Sequence, residues 1–317
     1  MAANDLVTVV IPVYNSKNTV AKAVRSVLDQ TYNELEIILV NDGSTDDTVA
    51  VLEKYCDNER FRWIDKQNGG PGSARNVGLD NASGDYVFFV DGDDYIFPQS
   101  LSKLVDLFVD GVDVAVGAFV NIDGITTYYP NVPNKDKWLR LTFAKGGLTL
   151  VNKMFRRSVI EQHHLRFDEQ ARKSEDHLFT AGYMLYCNGG ISVTDYPVYR
   201  YVLNPMSISN REETTQHFSN TIADSVYVSI KIYKLLEGYL SRATLMELRY
   251  DTYHKYRRIR HAAHVLNCKD KKFYKDIYSE IRKIMPVWEI VCFAIRRRIS
   301  IITKSLRRKI IRWWKRL

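Results

Sequence analysis

The chain has 317 residues, 45% of them apolar and 26% charged, which is long enough for a large globular domain and excludes an intrinsically disordered protein. Its net charge of +8 is concentrated at the end, because residues 294–317 hold ten Lys or Arg residues and no acidic ones. The rest of the chain carries 35 basic and 37 acidic residues, which argues against a basic nucleic-acid-binding groove in the body of the protein.

Cysteine usage and apolar runs indicate the compartment. The four cysteines are scattered, without the close pairs of a zinc site or a small disulfide framework, which favours a reducing environment. The chain reaches its first apolar run near Leu6 without a basic and apolar leader, and no run approaches the roughly 20 apolar residues that span a bilayer. We therefore expect a cytoplasmic protein that does not cross the membrane.

The first half of the chain alternates predicted strands and helices. A β-branched run, Val7–Ile11, precedes a helical pattern over residues 16–29, and a second apolar run covers Leu35–Val40. A third strand is predicted at Tyr86–Val90 and a weaker fourth at Val112–Val120. This alternation predicts an α/β fold with a mostly parallel sheet covered by helices on both faces.

Polar residues follow these strands where each one ends. Asn15 follows the first strand, Asp42 the second, and Asp91 and Asp93 the third. Because the carboxyl ends of parallel strands lie at one edge of a sheet and ligands bind there, we expect these four side chains to meet at one site.

Asp91 and Asp93 flank a single glycine, Gly92, in a turn directly after the third strand. Without a side chain at Gly92, such a turn can aim two carboxylates at a common point. Two hard oxygen ligands suit a divalent cation, Mg²⁺ or Mn²⁺, that keeps open positions for phosphate oxygens. The alternative for an Asp-x-Asp pattern is a solvated turn, but the position at a strand end favours a metal.

A glycine-rich loop, Lys66–Asn76, lies between the second and third predicted strands and carries Arg75. Backbone N–H groups of such a loop, together with a guanidinium, can approach an anionic ligand closely. The spacing matches neither the dinucleotide fingerprint nor the P-loop lysine signature, so neither of those sites is indicated. A plain connecting loop is the alternative.

Four motifs in chain order resemble those of glycosyltransferase family 2. They are the runs Val9–Asn15, Asn41–Asp46, Asn68–Asn76 and Val90–Asp94. The resemblance covers roughly residues 6–210. It implies a GT-A fold, a nucleotide-sugar donor that is usually a UDP-sugar, and inversion at the anomeric carbon.

Residue roles are inherited from this resemblance position by position. It implies a nucleotide-sugar site formed by Pro12, Val13, Tyr14, Asp42, Asn68, Arg75, Asp91, Gly92 and Ser207. Within this site, Asp42 belongs to the nucleobase side, Arg75 lies near the uridine or the diphosphate, and Asp91 contacts ribose or sugar. Asp93 is expected to bind the divalent cation, Mn²⁺ or Mg²⁺.

The acidic pair Glu175 and Asp176 supplies the candidate base. A hydroxyl that attacks the anomeric carbon needs a base to remove its proton. The pair is similar to the family's Glu-Asp pair, whose aspartate has this role, so we assign Asp176 as the base and Glu175 as a neighbour that orients it. A plain acidic surface pair is the alternative, and His177 is interpreted as structural.

The segment Val198–Ser209 resembles the family's diphosphate-contacting loop, with one departure. A basic residue that often precedes its Ser-Ile-Ser is missing, and Val202–Asn204 stand in its place. Ser207 remains a candidate phosphate contact, whereas Arg200 could replace the missing cation only if its side chain turns inward.

The pattern becomes helical after about residue 215, and the chain ends in a basic amphipathic tail. We predict a catalytic domain at 1–215, a helical appendage at 216–293 and a tail at 294–317. Apolar residues recur every three or four positions in the tail with Lys and Arg between them, as in a helix lying on an anionic membrane surface. The expected location is the inner face of the cell membrane. Packing of the tail against the domain or a partner copy is the alternative.

The predicted function is transfer of a sugar to a hydroxyl of a cell-envelope glycan, a teichoic acid or a lipid-linked acceptor. The acceptor classes follow from the segments Lys153–Ile160 and Ser174–Thr180, which look like those of bacterial enzymes that decorate wall teichoic acids or extend capsular and exopolysaccharides. Two alternatives stay open. A metal-dependent nucleotidyltransferase shares the metal and the sheet but does not need Asp176, and a nucleic-acid-binding protein would use the basic tail, although we expect no nucleic-acid partner.

Overall fold

The structure is a computed structural model, and it describes residues 5–132, 134–142, 147–171, 173–204, 215–265, 271–286 and 289–290. These residues form a mixed sheet of nine strands with helices on both faces. The predicted phosphate contact Ser207 and the predicted tail at 294–317 lie outside the described residues. Among the helices that are described, none is both long and apolar enough to cross a bilayer.

The N-terminal strands form the parallel half of the sheet. Strand β1 (Val7–Val13) pairs in parallel with β2 (Leu35–Asn41) and β4 (Tyr86–Phe89), and β2 pairs in parallel with β3 (Phe61–Asp65). Strands β1, β2 and β4 are almost entirely buried, as expected for apolar strands covered on both faces. The sequence does not predict β3, because Phe-Arg-Trp-Ile-Asp mixes charged with apolar residues.

Helices cover both faces of this parallel half. They are α1 (Val20–Leu28), α2 (Thr48–Leu52), α3 (Pro71–Asp80) and α4 (Ser100–Val105). Alternate residues of β1 point to opposite faces, as the period of a strand requires. Val9 and Ile11 belong to the buried cluster that contains α1 and α4, whereas Val10 belongs to the cluster on the other face.

The second half of the sheet mixes strand directions. Its strands are β5 (Tyr95–Ile96), β6 (Val112–Val120), β7 (Thr126–Thr127), β8 (Lys153–Arg156) and β9 (Gly190–Arg200). Strand β8 runs antiparallel between β4 and β6, whereas β6 and β9 are parallel, so the order across the sheet is β3-β2-β1-β4-β8-β6-β9-β5. The prediction of an α/β fold with parallel N-terminal strands is confirmed, and the antiparallel β8 is an addition to it.

The remaining helices follow in the second half of the chain. They are α5 (Lys135–Thr142), α6 (Arg157–Gln162), α7 (Glu175–Tyr186), α8 (Thr215–Leu236), α9 (Arg242–Val265) and α10 (Lys271–Ile284). Phe179 of α7, Tyr233 of α8 and Ile281 of α10 are buried in the same cluster as Val10 and Phe89 of the sheet. The helices after residue 215 therefore share a hydrophobic core with the sheet.

Candidate active site

The loops that follow β1 and β2 meet at one edge of the sheet. Asn15 joins them, because its backbone N–H donates to Ser44 Oγ at 2.9 Å. Of the residues at the end of β1 that are predicted for the nucleotide-sugar site, Tyr14 exposes 43% of its surface, Pro12 is partly buried and Val13 is buried. Tyr14 is thus the one of these three side chains that presents most of its area to a ligand.

Asp42 anchors the glycine-rich loop. Its buried carboxylate accepts hydrogen bonds from the backbone N–H groups of Gly69 at 2.9 Å and Gly70 at 2.7 Å, and it forms an ion pair with Lys66 at 2.7 Å. The side-chain amide of Asn68 donates to the backbone carbonyl of Asp42 at 2.9 Å. Asp42 and Asn68 therefore fix the loop that begins helix α3. The role of Lys66 has no signal in the sequence, because no motif connects it with Asp42.

Arg75, on α3, joins the turn after β4 to helix α7, 100 residues further along the chain. Its Nη2 lies 2.7 Å from Asp91 Oδ1 and its Nη1 lies 2.6 Å from Glu175 Oε1. Burial lowers the pKa of Arg75, but the negative charges of Asp91 and Glu175 outweigh burial and raise it above its ordinary value. The contact brings two of the predicted motifs into one site.

The Asp-Gly-Asp-Asp turn packs directly on β1. A Cβ at Gly92 would lie 2.6 Å from Val13 Cγ1, so any larger residue would push the turn away from β1. Asp93 accepts a hydrogen bond from the side-chain amide of Asn204 at 3.1 Å. Burial raises the pKa of Asp93, and the negative charge of Asp91 raises it further.

Asp94 ties the same turn to the end of β9. Its carboxylate is buried and accepts hydrogen bonds from the Tyr199 hydroxyl and from the Val202 N–H, each at 2.7 Å. Burial and the charges of Asp91 and Asp93 raise the pKa of Asp94 to about 8. Tyr199 and the segment after β9 are therefore part of the support of this turn, which the motif alone does not reveal.

The turn offers oxygen ligands that fit a divalent cation bound together with a substrate. Asp91 and Asp93 supply carboxylates, and a cation beside them would oppose the burial and the charge of Asp91, which both raise the pKa of Asp93. Within the part of the chain that the structure describes, no group of three or more His, Cys, Asp or Glu side chains is arranged to hold a metal by itself. This donor set suits Mg²⁺ or Mn²⁺, which take further ligands from phosphate and water.

The first turn of α7 presents the acidic pair. The side chain of Glu175 is 8% exposed and faces Arg75, whereas that of Asp176 is 25% exposed. His177 Nε2 lies 3.9 Å from Asp176 Oδ2. Asp176 is therefore the member of the pair that a ligand can reach.

Arg200, at the end of β9, lies beside a different turn. Its Nη1 is 3.7 Å from the position that a Cβ would take on Gly124, in the connection between β6 and β7. The following residues, up to Asn204, lie along the Asp-Gly-Asp-Asp turn through the contacts to Asp93 and Asp94. Arg200 thus points to the β6–β7 connection.

Comparisons with known proteins identify relatives of the chain among glycosyltransferases. Residues 8–163 match the model of the family described as glycosyl transferase family 2. EpsH of Bacillus subtilis, a glycosyltransferase by name, is 30% identical over 219 residues, which cover 65% of this chain and 63% of EpsH. TarP of Staphylococcus aureus, named poly(ribitol-phosphate) β-N-acetylglucosaminyltransferase, is 28% identical over 253 residues, or 72% of this chain and 74% of TarP.

A solved structure has the same fold. The crystal structure of S. aureus TarS in complex with UDP-GlcNAc superposes with a TM-score of 0.69 at 23% identity, covering 90% of this chain and 82% of that one. The chain spans less than two thirds of the length of EpsH. On its sheet topology and its sequence match, the chain has a GT-A fold, and residues 8–163 form a glycosyltransferase family 2 domain.

Proposed function

We propose that the protein is an inverting glycosyltransferase that moves a sugar from a UDP-sugar to a hydroxyl group of a cell-envelope acceptor. The observation that carries this proposal is the contact of Arg75 with both Asp91 and Glu175. This contact sets the Asp91–Asp94 turn, which we call the donor-side turn, beside the candidate base. The glycosyltransferase family 2 domain supports the same reaction class. The complex of TarS with UDP-GlcNAc supports a UDP-sugar as the donor.

In this mechanism Asp176 removes the proton of the acceptor hydroxyl as its oxygen attacks the anomeric carbon. The new carbon–oxygen bond forms while the bond to the nucleoside diphosphate breaks on the opposite face, so a single displacement inverts the configuration. The transition state has oxocarbenium character, as in other glycosyl transfers. The partial exposure of Asp176 supports its role, because the base must reach the acceptor.

The chain's own residues prepare the donor side. Gly92 keeps the turn against β1, and the amide of Asn204 holds one oxygen of Asp93. A divalent cation held at Asp93, with Asp91 beside it, would supply a Lewis acid that stabilises negative charge on the leaving diphosphate. The glycine-rich loop, which Asp42 anchors through the N–H groups of Gly69 and Gly70, forms the nucleotide side of the site.

A donor screen tests the reaction class. Thermal-shift and donor-hydrolysis assays with UDP-glucose, UDP-galactose, UDP-N-acetylhexosamines and GDP- or TDP-sugars are run with and without Mn²⁺. We expect at least one UDP-sugar to raise Tm and to be turned over when Mn²⁺ is present. If no nucleotide-sugar stabilises the protein, or if turnover is the same after divalent ions are removed, the proposal fails.

Asp176→Asn separates sugar transfer from nucleotidyl transfer. We expect the variant to bind UDP like the wild type and to lose about 10²- to 10⁴-fold in transfer rate, because a general base contributes that much. Asp110→Asn, at an exposed position away from the site, is the matched control and should keep full activity. Unchanged sugar transfer by Asp176→Asn would remove Asp176 from the mechanism, whereas a wild-type protein that transfers nucleotidyl groups and no sugar would favour the nucleotidyltransferase alternative.

The acceptor class is part of the same proposal. The similarity to TarP, a poly(ribitol-phosphate) β-N-acetylglucosaminyltransferase by name, supports N-acetylglucosamine as the sugar and a polyol-phosphate chain as the acceptor. Transfer from labelled UDP-GlcNAc to poly(ribitol phosphate) is compared with transfer to a neutral polysaccharide. Labelling of the phosphate polymer is the expected result, and labelling of the neutral polymer alone would redirect the proposal to capsular or exopolysaccharide acceptors.

A further inference from the structure

Arg75 lies at the junction of three segments that build the site. Its side chain is 6% exposed, that of Glu175 8% and that of Asp91 29%. One terminal nitrogen of the guanidinium faces each carboxylate, and the Nε atom is buried without a hydrogen-bond partner. Each of the two terminal nitrogens therefore already donates to a carboxylate within the protein.

Helix α3 holds the chain before α7 through a second side chain. The amide of Asn76 donates to the Phe167 carbonyl at 3.0 Å, and its oxygen accepts from the Phe167 N–H at 2.8 Å. A Cβ at Gly72 would lie 3.5 Å from Glu175 Cγ, so the helix backbone itself approaches this segment closely. Helix α3 thus contacts the segment before α7 at Phe167 and the start of α7 at Glu175.

The backbone just before the acidic pair is strained. Ser174 has φ 64° and ψ 20°, a left-handed conformation that is unfavourable for a residue with a side chain. Such a conformation persists where surrounding contacts over-determine it. The ion pair between Arg75 and Glu175 is such a contact, because Glu175 is the next residue and begins the helix.

We infer that Arg75 is a positioning residue, which locks the first turn of α7 so that Asp176 faces the donor-side turn, and that it is not a ligand of the diphosphate. This inference rests on the proposed function. It assigns Arg75 a role different from the one its motif implies. Glu175 acts together with Arg75, because its carboxylate is the group through which Arg75 fixes the start of helix α7.

Charge supports the distinction between the two roles. Arg75 carries one positive charge, and its two ion-pair partners, Asp91 and Glu175, carry two negative charges. The guanidinium itself offers an approaching phosphate little surface, because the Arg75 side chain is almost inaccessible to solvent. A charge clamp for a diphosphate needs a cation that the phosphate can reach.

Two variants test the inference. Glu175→Gln removes the charge that Arg75 holds, and Arg75→Lys keeps a cation that cannot bridge two carboxylates as a planar fork does. For each variant, the Kd of UDP with Mn²⁺ is measured by calorimetry, and kcat and KM are measured for transfer. We expect kcat to fall by about 10²-fold, as for a misplaced catalytic group. The Kd of UDP should stay within about twofold of the wild-type value.

A matched control separates positioning from general destabilisation. Glu289, whose side chain is 3% exposed, forms a comparable buried pair with Arg249 at 2.8 Å, and both residues lie outside the site. Glu289→Gln should lower Tm to a similar degree and leave kcat within about twofold of wild type.

The results that would overturn the positioning role of Arg75 differ from the result that would overturn the proposed function. An unchanged kcat in Glu175→Gln, or a rise of about tenfold or more in the Kd of UDP for Arg75→Lys, would overturn the positioning role. An equal loss of kcat in Glu289→Gln would do the same, because stability alone would then explain the loss. A wild-type protein that binds no UDP with Mn²⁺ would instead overturn the proposed function.

Discussion

Lys153 is fully buried at the start of β8. Its ammonium donates to Asn152 Oδ1 at 3.0 Å and lies 5.6 Å and 5.8 Å from the ring centroids of Tyr129 and Trp138. Burial lowers the pKa of Lys153 from 10.5 to about 7, although the negative charge of Asp176 on α7 opposes the shift. A lysine at this position therefore couples the stability of the fold to pH.

The sign of this coupling follows from proton binding. Between pH 7 and 10.5 the unfolded chain binds a proton at Lys153 that the folded chain has lost, so the wild type gains stability as the pH rises. Lys153→Met removes this contribution. We expect its free energy of unfolding in urea, relative to wild type, to fall by up to about 1.4 kcal/mol per pH unit from pH 7 to 9.

The difference in the free energy of unfolding between Lys153→Met and wild type isolates the contribution of Lys153. The titratable groups that face Lys153 are Tyr129, Asp176 and His177, and all three are present in both proteins. Lys103→Met, at an exposed position, is the control and should show no such trend. A constant difference between Lys153→Met and wild type at pH 7, 8 and 9 would show that the pKa of Lys153 is not lowered.

Asn204 contacts Asp93, the proposed ligand of the divalent cation. Its amide holds one oxygen of that carboxylate at 3.1 Å, and contacts of this kind around a metal ligand are typically worth 10- to 100-fold in metal affinity. We expect Asn204→Ala to weaken Mn²⁺ binding about tenfold in the presence of UDP, followed by the electron paramagnetic resonance signal of free Mn²⁺. Leu203→Ala, at an exposed neighbour, should bind like wild type. If Asn204→Ala binds Mn²⁺ as tightly as Leu203→Ala does, Asn204 does not support the proposed metal site.

At the scale of elements, helix α3 is placed by its close approach to β1. A Cβ at Gly78 would lie 2.3 Å from Val10 Cγ1, and Val10 is fully buried. Alanine in a helix is otherwise about 1 kcal/mol better than glycine, so any loss of stability measures packing. We expect Gly78→Ala to cost about 1–3 kcal/mol in urea unfolding. Transfer should fall with it, because α3 carries Arg75.

A second variant checks the cause. Val10→Ala costs stability by itself, but it makes room for the new methyl group, so the double variant should lose less than the sum of the single losses. Additive losses would show that α3 and β1 are not in the tight contact described.

The predictability of each element follows from its burial pattern. Strands β1, β2 and β4 are apolar runs whose polar ends at Asp42 and Asp91 mark one edge of the sheet, and the structure places them there. Strand β8 could not be predicted as a core strand, because it begins with Lys153, a residue rarely buried without a carboxylate partner. The Arg75–Glu175 contact could not be predicted either, since no spacing rule relates residues 100 positions apart. The binding roles of these residues remain predictions.

At the scale of the whole molecule, the helices after residue 215 are tied to the sheet and to each other. Helix α8 packs in the same core as Phe89 and Phe179, and α9 contributes Arg249, which donates to both carboxylate oxygens of Glu289 at 2.8 Å and 3.0 Å. Glu289 is 2% exposed and stands close to the end of the described chain. Glu289, in the last part of the chain that the structure describes, is thus held against helix α9.

We propose that this tail docks on anionic membranes. The attraction must come from residues 294–317, because residues 1–293 carry 35 basic and 37 acidic side chains, and each cation near an anionic leaflet contributes on the order of 1 kcal/mol. The full chain should co-sediment with phosphatidylserine-containing vesicles at low salt, and a 1–293 chain should stay in the supernatant. Neutral vesicles and 0.5 M salt, which shortens electrostatic range to about 4 Å, should release the full chain. Equal partitioning of both chains would instead place the tail against the protein or a second copy.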